Sequence, residues 1–304
     1  MTIQPYRGWV TPADAIGTDA GSLRGMDHVR WANRPQVRRP IVIVAFEGWN
    51  DAGDGASGAA RWIAQHWAPD SLATIDPEEF YDFTATRPEV RLDDNRHRVI
   101  DWPGVTLMQG HGAGPDVVVV LGVEPQLRWQ TFCTQIVGVA QKLNAQLVIT
   151  MGALLADIPH TRATSVVATS DQQQVINRLG VQHSGYEGPT GIIGVLNQAL
   201  MRADISCVSL WAAVPAYIPA APSPKAALAL VQRCADLMSV SVITTDLEIA
   251  SAAYERQVNE AMEEDEDIRT YIHELEERYT ATEEIEVPRP DLLVEEVERF
   301  LRDQ

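Results

Sequence analysis

Four short runs of apolar, largely β-branched residues recur along the middle of the chain. They are Ile41–Phe46, Val117–Leu121, Gln146–Thr150 and Ile205–Ala212. A strand of this kind is buried on both faces, as in the centre of a parallel sheet. Stretches of helical periodicity lie between the runs, at about 55–67, 128–143, 171–179 and 190–202. The alternation predicts a doubly wound α/β fold, with helices packed on a mostly parallel sheet.

Residues 72–110 depart from this alternation. Four segments there have strand character with no helix between them: Leu72–Ile75, Glu89–Asp93, Arg98–Trp102 and Thr106–Gln109. Asp93-Asp94-Asn95 is a suitable hairpin turn, because Asp and Asn side chains bond to the backbone of turns. We therefore expect an antiparallel extension that makes the sheet mixed.

The two ends of the chain differ from the α/β core. Residues 1–39 show no sustained period and predict an irregular lead-in. Four prolines between Pro215 and Pro224 predict an irregular link to a helix over about 225–238. Beyond a break near residues 239–244, apolar residues recur every three or four positions. We therefore divide the chain into a lead-in (1–39), an α/β core (40–240) and an acidic helical domain (241–304) whose last helix runs from about Asp291 to Leu301.

The net charge of −18 is concentrated in that last part. From Asp246 onward there are 20 acidic and 6 basic residues, a balance of −14, which leaves −4 for the first 245 residues. A surface of this sign repels phosphates and anionic head groups, so we expect neither a nucleic acid nor a membrane partner. Acidic helices can dock a basic protein partner, or they can be a solvated face.

Composition and motifs also limit which cellular compartment and which metal or cofactor chemistry we expect. There is no apolar run of 18 residues or more, and the first residues do not resemble a signal peptide. The three scattered cysteines, Cys133, Cys207 and Cys234, fit neither a disulfide framework nor a zinc knuckle. No C-x-x-C, H-E-x-x-H or Walker lysine motif occurs. We expect a reduced, cytoplasmic protein with no metal and no cofactor.

The segment 53–58 (GDGASG) matches the dinucleotide fingerprint G-x-G-x-x-G. In dinucleotide-binding folds the first glycine ends the strand, whereas here 47–52 intervene after the strand. Residues 55–59 also come close to the nucleophile elbow G-x-S-x-G, but Ser57 is too far past Phe46. We favour small-residue packing of a helix for both motifs.

Charged and polar residues follow the predicted strands at the edge where α/β folds bind ligands. If the loops after the first three strands converge, Asp51, Glu124 and His160 are candidates for acid–base work. Candidate ligand-binding residues share the same strand-end positions or precede a helix: Glu47, Asn50, Asp54, Arg128, Asp157, Arg162 and Thr190. Free N–H groups of the helix after Thr190 could meet an anion. The same residues could instead be caps and loop-fixing pairs, and the sequence offers no convincing nucleophile.

Five of these segments carry a family resemblance. They are 46–60 (FEGWNDAGDGASGAA), 119–129 (VVLGVEPQLRW), 151–162 (MGALLADIPHTR), 187–196 (EGPTGIIGVL) and 209–230 (SLWAAVPAYIPAAPSPKAALAL). Together they resemble the proteasome assembly chaperone 2 family in its actinobacterial form. The resemblance implies a three-layer α/β/α core, similar to the phosphorylase/hydrolase-like fold of purine nucleoside phosphorylases. It also implies homo-oligomers such as trimers, and no established enzyme activity.

Eukaryotic and archaeal members of this family assist proteasome assembly, and typically dock through a C-terminal hydrophobic–Tyr–any tripeptide. This sequence ends Phe300-Leu301-Arg302-Asp303-Gln304, so we do not expect docking by that mode. Two hypotheses follow. The first is a non-enzymatic oligomer that serves protein assembly or interaction. The alternative is a small-ligand protein, or a hydrolase- or phosphorylase-like enzyme, with its site at the carboxyl ends of the parallel strands.

Overall fold

An eight-stranded mixed sheet organises the described part of the chain, residues 26–112, 114–219, 221–262 and 265–279, in a computed structural model. The strands are β1 (Val29–Trp31), β2 (Ile41–Glu47), β3 (Asp70–Ile75), β4 (Glu89–Leu92), β5 (Arg98–Asp101), β6 (Val105–His111), β7 (Asp116–Val123), β8 (Leu147–Ala156), β9 (Val166–Thr169) and β10 (Cys207–Pro215). The helices are α1 (Gly55–Trp67), α2 (Trp129–Lys142), α3 (Gln173–Leu179), α4 (Ile192–Arg202), α5 (Pro224–Met238), α6 (Thr245–Met262) and α7 (Glu266–Arg278).

The parallel strands form the centre of the sheet. Its order is β1-β3-β6-β7-β2-β8-β10-β9, in which β7, β2, β8 and β10 are parallel neighbours. Antiparallel pairing joins the strands outside them on both sides. The central strand β2 is buried along Ile41–Phe46, which explains its unbroken apolar sequence. The predicted α/β fold with a mixed sheet is confirmed.

Helices cover both faces of this sheet and enclose two apolar cores. Ile41 and Ile43 project into the core beneath α1 and α5, whereas Val42 and Val44 project into the core beneath α2 and α4. Alternate residues of one strand therefore serve opposite layers, as the two-residue repeat of a strand requires. Burial of both faces is the main source of stability in this arrangement.

The antiparallel extension differs in one respect from the sequence expectation. β3 and β6 do extend the main sheet, through β6 next to β7. The other two predicted segments, β4 and β5, pair only with each other and form a separate two-stranded ribbon. Its turn is closed by Asp93, which accepts hydrogen bonds from the N–H groups of Asn95 and His97. Within the described residues, the ribbon has an apolar face that the core does not cover.

The two described C-terminal helices pack against the α/β core. Tyr254 and Val258 of α6 are buried, and the Trp62 Nε1–H of α1 donates to Asp246 at 2.7 Å. α7 begins at the cap Asp265, whose side chain accepts from two backbone N–H groups. The proposed domain boundary near residue 240 falls in the irregular segment before α6. The predicted last helix, 291–301, and the lead-in before residue 26 lie outside the described residues.

Candidate functional site

A cavity of about 730 Å³ opens at the carboxyl edge of the parallel strands. It lies among the loop after β2, the far half of β8, the first part of β10 and the segment before α4. Ligand pockets are typically about 300–1,000 Å³, so its size is that of a small-molecule site. Four predicted site residues line it: Asn50, Asp51, Asp54 and Thr190.

Asp51 is held by the helix that follows it. Its Oδ1 accepts the backbone N–H groups of Ala56 (2.8 Å) and Ser57 (3.0 Å), so the carboxylate caps α1 from inside the protein. Burial raises the pKa of Asp51, while hydrogen bonding from Ser57 and Ala56 opposes that shift. A buried carboxylate that already serves two N–H groups is suited to fixing the loop beside the cavity.

Glu124 performs the same task for α4. Its Oε1 accepts the Ile192 N–H at 2.8 Å and the Asn50 Nδ2–H at 3.0 Å. The helix end that the sequence suggested for an external anion is therefore occupied by a carboxylate of the protein itself. Glu124 joins three segments that are distant in sequence: the loop after β2, the end of β7 and the start of α4.

His160 lies in a different environment, beneath α6. The Tyr217 hydroxyl donates to His160 Nδ1 (2.7 Å), and Nε2–H donates to Asn259 Oδ1 (2.9 Å), an assignment that satisfies both ring nitrogens. Burial lowers the pKa of His160, and the charge of Lys225 lowers it further. Among the described residues that line the cavity, His160 does not appear. The structure thus brings Asp51 and Glu124 together through Asn50, but not His160.

The cause of this separation is the length of β8. The apolar run predicts a strand that ends at Thr150, but β8 continues to Ala156. At about 3.3 Å per residue, this extension moves the following loop about 20 Å farther along the sheet. Asp51 pairs with Ala153, in the middle of β8, so the loop that carries His160 is well beyond it.

The remaining candidates lie in separate pairs. Glu47 pairs with Arg61 of α1, and Arg128 pairs with Glu79 rather than with Glu124. The Tyr271 hydroxyl of α7 donates to Asp157 at 3.1 Å. Arg162 is exposed on the loop after β8. These positions favour loop fixing over a shared catalytic centre.

Sequence reasoning missed the wall and floor of the cavity. The Trp211 ring lies against β8 at Gly152, where an added Cβ would meet it at 2.5 Å. Ser209 lies two residues earlier on the same strand face, and the Thr150 hydroxyl lies 3.0 Å from both Ser209 Oγ and Asn197 Oδ1. A signal was present in the alternation of Ser209 and Trp211 with apolar residues, which marks one face of β10 as partly polar.

The glycine-rich segment 53–58 is a packing surface. A Cβ on Gly55 would lie 2.9 Å from Ala226 Cβ, and one on Gly58 would lie 3.5 Å from Ala227 Cβ. α1 therefore approaches α5 across small residues on both helices. This is the small-residue packing that the sequence favoured.

The described residues give the site little reactive chemistry. No group of three His, Cys, Asp or Glu side chains is arranged to hold a metal ion among them. Burial raises the pKa of the Cys133, Cys207 and Cys234 thiols to about 12, so these cysteines are protonated and poor nucleophiles near neutral pH.

Among the described helices, none combines the length and the hydropathy that a membrane span requires.

Comparisons with known proteins agree on one family. The model of the PAC2 family matches residues 45–262. A PAC2 family protein from Streptomyces avermitilis is 39% identical, with a TM-score of 0.72 over 76% of this chain and 99% of that one. The Mycobacterium tuberculosis proteasome-assembly chaperone homologue is 41% identical, with a TM-score of 0.69 over 76% and 99%. An archaeal proteasome activator from Pyrococcus furiosus is 16% identical and shares the fold, with a TM-score of 0.63 over 77% and 98%. The curated proteins contain no match.

Proposed function

Because this chain belongs to the PAC2 family, we propose that it is a non-enzymatic, homo-oligomeric protein of the cytoplasm that serves protein assembly or interaction. The residues that sequence reasoning offered for catalysis support this proposal. Asp51 and Glu124 cap helices, and His160 is buried in a hydrogen-bonded contact with α6. Each is engaged in holding the fold, and the cysteines are buried thiols.

The observation that carries the proposal is the apolar face of the ribbon β4–β5. Val90 and Ile100 are directly opposite each other, Leu92 lies at one end of the ribbon opposite Arg98, and Trp102 lies just past β5 at the other end. The exposed fractions of Val90, Ile100, Leu92 and Trp102 are 61%, 50%, 55% and 45% respectively. The opposite face carries an ion pair between Arg91 and Asp101 at 2.6 Å, beside the half-buried Val99. A two-stranded ribbon with one apolar face is marginal in water unless something covers that face.

We assign this face to a second copy of the chain. A surface that presents paired aliphatic side chains and one tryptophan can complement its own copy about a symmetry axis. The aromatic Trp102 is supported from behind by Phe83, with ring centroids 4.8 Å apart. A rigid aromatic residue beside aliphatic neighbours is typical of the centre of an interface.

The acidic surface of α6 and α7 suits a different partner. The described residues of these helices include exposed Asp246, Glu248 and Glu260 on α6, and Asp267, Glu274 and Glu277 on α7. A surface of this charge steers basic surfaces toward it and repels acidic ones. The proposal therefore assigns a basic protein partner to these helices.

The test of the oligomer is Ile100→Glu, measured by size-exclusion chromatography with light scattering. We expect the unaltered protein to have the mass of an oligomer and the variant to have a lower mass, because the change places charges in the apolar contact. Ile243→Glu is the matched control, since Ile243 is 84% exposed in the segment before α6. A monomeric unaltered protein, or an Ile100→Glu variant of unchanged mass, would contradict the assignment.

A second candidate function is favoured by the cavity at the strand ends. Its size and its place outside the carboxyl ends of parallel strands fit a small-ligand protein. Since its described lining lacks a reactive nucleophile, we favour binding over turnover. This function is compatible with the first, because the ribbon and the cavity have no lining residue in common among the described residues.

A further inference from the structure

We propose that the cavity between the loop after β2, the far half of β8 and the first part of β10 binds a small organic cation, with an apolar or aromatic body and a protonated amine. This inference rests on the second candidate function and names its ligand class. Three independent observations support it: the exposed apolar side chains around the opening, the sign of the charges on the lining, and the polar groups on the floor.

Exposed large apolar residues are concentrated at this cavity. Trp49, Leu155, Tyr186 and Met201 are each more than a third exposed, and all four line the cavity. The indole of Trp211 forms part of the wall. Aromatic and aliphatic side chains that remain in water around a concave site are typical of one that binds an apolar body.

The charges of the lining are of one sign. Asp51, Asp54 and Asp171 line the cavity, and no lysine, arginine or histidine does so among the described residues. Asp171 lies 3.7 Å from His183 Nε2, which is outside the lining. The first N–H of α4, that of Ile192, is already bound by Glu124. Phosphate and carboxylate ligands are therefore disfavoured, and an ammonium group is favoured.

The floor supplies hydrogen-bonding groups that orient a ligand. Ser209 is buried, and both it and Asn197 line the cavity. The single hydroxyl proton of Thr150 can be donated to only one of them at a time. The side-chain amide of Asn197 has more hydrogen-bonding capacity than its contact with Thr150 uses. In a largely apolar pocket, a small number of polar groups usually fixes the orientation of the ligand.

The experiment is a fluorine NMR screen of the full chain with fragments of matched size. Equal numbers of the fragments carry an amine, a neutral polar group or a carboxylate. We expect binders to be most frequent among the amines and least frequent among the carboxylates. The double variant Leu155→Trp, Met201→Trp narrows the cavity and should abolish binding of the amine fragments. Ile249→Trp, on the exposed side of α6, should leave binding unchanged.

Charge is tested by Asp54→Asn, with Asp204→Asn as the matched control. Both residues are exposed and both have a left-handed backbone (φ 50° and 56°), which asparagine tolerates well. Only Asp54 lines the cavity. We expect Asp54→Asn to weaken the binding of amine fragments by about fivefold, the effect of losing a partly exposed ion pair. The binding of neutral fragments should hardly change. Asp204→Asn should change neither.

The outcomes separate the ligand class from the site. The binders could be lost in the double variant and yet be mainly carboxylates. That outcome would overturn the proposal of an amine ligand and leave the ligand-binding function standing. A screen with no binder, or with binders unaffected by the double variant, would overturn both. Equal binding of the three fragment groups would overturn the amine class as well.

Discussion

At the scale of single residues, two carboxylates fix the loops at the carboxyl edge of the sheet. Asp51 accepts N–H groups in the first turn of the next helix, α1, and Glu124 accepts the first N–H of α4, which begins 68 residues later in the chain. The sequence singled these residues out because they follow buried strands at the edge where α/β folds bind ligands. It could not distinguish caps from catalytic groups, since the difference depends on which helix start lies within about 3 Å of the carboxylate.

Glu124→Ala tests the cap role directly. We expect it to lower the free energy of unfolding by about 2 kcal/mol, because the Ile192 N–H and the Asn50 amide lose a charged acceptor. Urea denaturation of the purified protein measures the change. Glu187→Ala, at an exposed position of the loop before α4, should stay within about 0.5 kcal/mol of the unaltered protein. Equal stability of the two variants would mean that the cap contributes nothing.

At the scale of elements, the sequence pattern correctly predicted the helices and strands whose formation depends on interactions between residues close in the chain. The helix predicted at 55–67 is α1 (Gly55–Trp67), and the run at 41–46 is the core of β2 (Ile41–Glu47). Which strands pair with one another was harder to predict, because strand pairing depends on residues that are distant in sequence. The short strand β9 (Val166–Thr169) was not predicted, since it is fixed by antiparallel pairing with β10 rather than by its own four residues. The continuation of β8 has the same origin, because β10 pairs with it as far as Ala156.

The contact between α6 and the loop after β8 should depend on pH through His160. Burial lowers the pKa of His160 in the folded protein, so the unfolded chain binds a proton more readily. Stability from the neutral ring is thus present above the unfolded pKa of about 6.5 and is lost as the pH falls below it. Glu255 and Glu276 moderate this shift without reversing it.

We expect the free energy of unfolding to fall between about pH 7 and pH 5.5, and His160→Gln to flatten that part of the profile. Hydrogen exchange should locate the loss in α6, whose Asn259 accepts from the His160 ring. His97→Gln is the control, because His97 is exposed in the turn of the ribbon. If His160→Gln keeps the full slope, other groups account for the pH dependence.

At the scale of the whole molecule, the balance of charge opposes compaction at its C-terminal end. The chain carries −18, of which −14 lies from residue 246 onward. Acids on the described helices α6 and α7 repel one another, and Lys225 of α5 offsets only one of them, Glu255. Screening shortens the reach of that repulsion from about 10 Å at 0.1 M salt to about 3 Å at 1 M. Sodium chloride should therefore raise the melting temperature, although most individual surface ion pairs would be weakened by it.

The variant Glu260→Gln, Glu274→Gln separates repulsion from general salt effects. Both side chains are exposed on the acidic helices. Removing their charges should raise the melting temperature at low salt by about 1–2 °C, the shift that about 1 kcal/mol gives in a protein of this size, and reduce the response to salt. Glu89→Gln, Glu187→Gln removes two exposed charges elsewhere and should leave both quantities nearly unchanged. A melting temperature that falls with sodium chloride would mean that ion pairs outweigh repulsion. The acidic helices would then be a neutralised surface, and their assignment to a basic partner would lose its electrostatic basis.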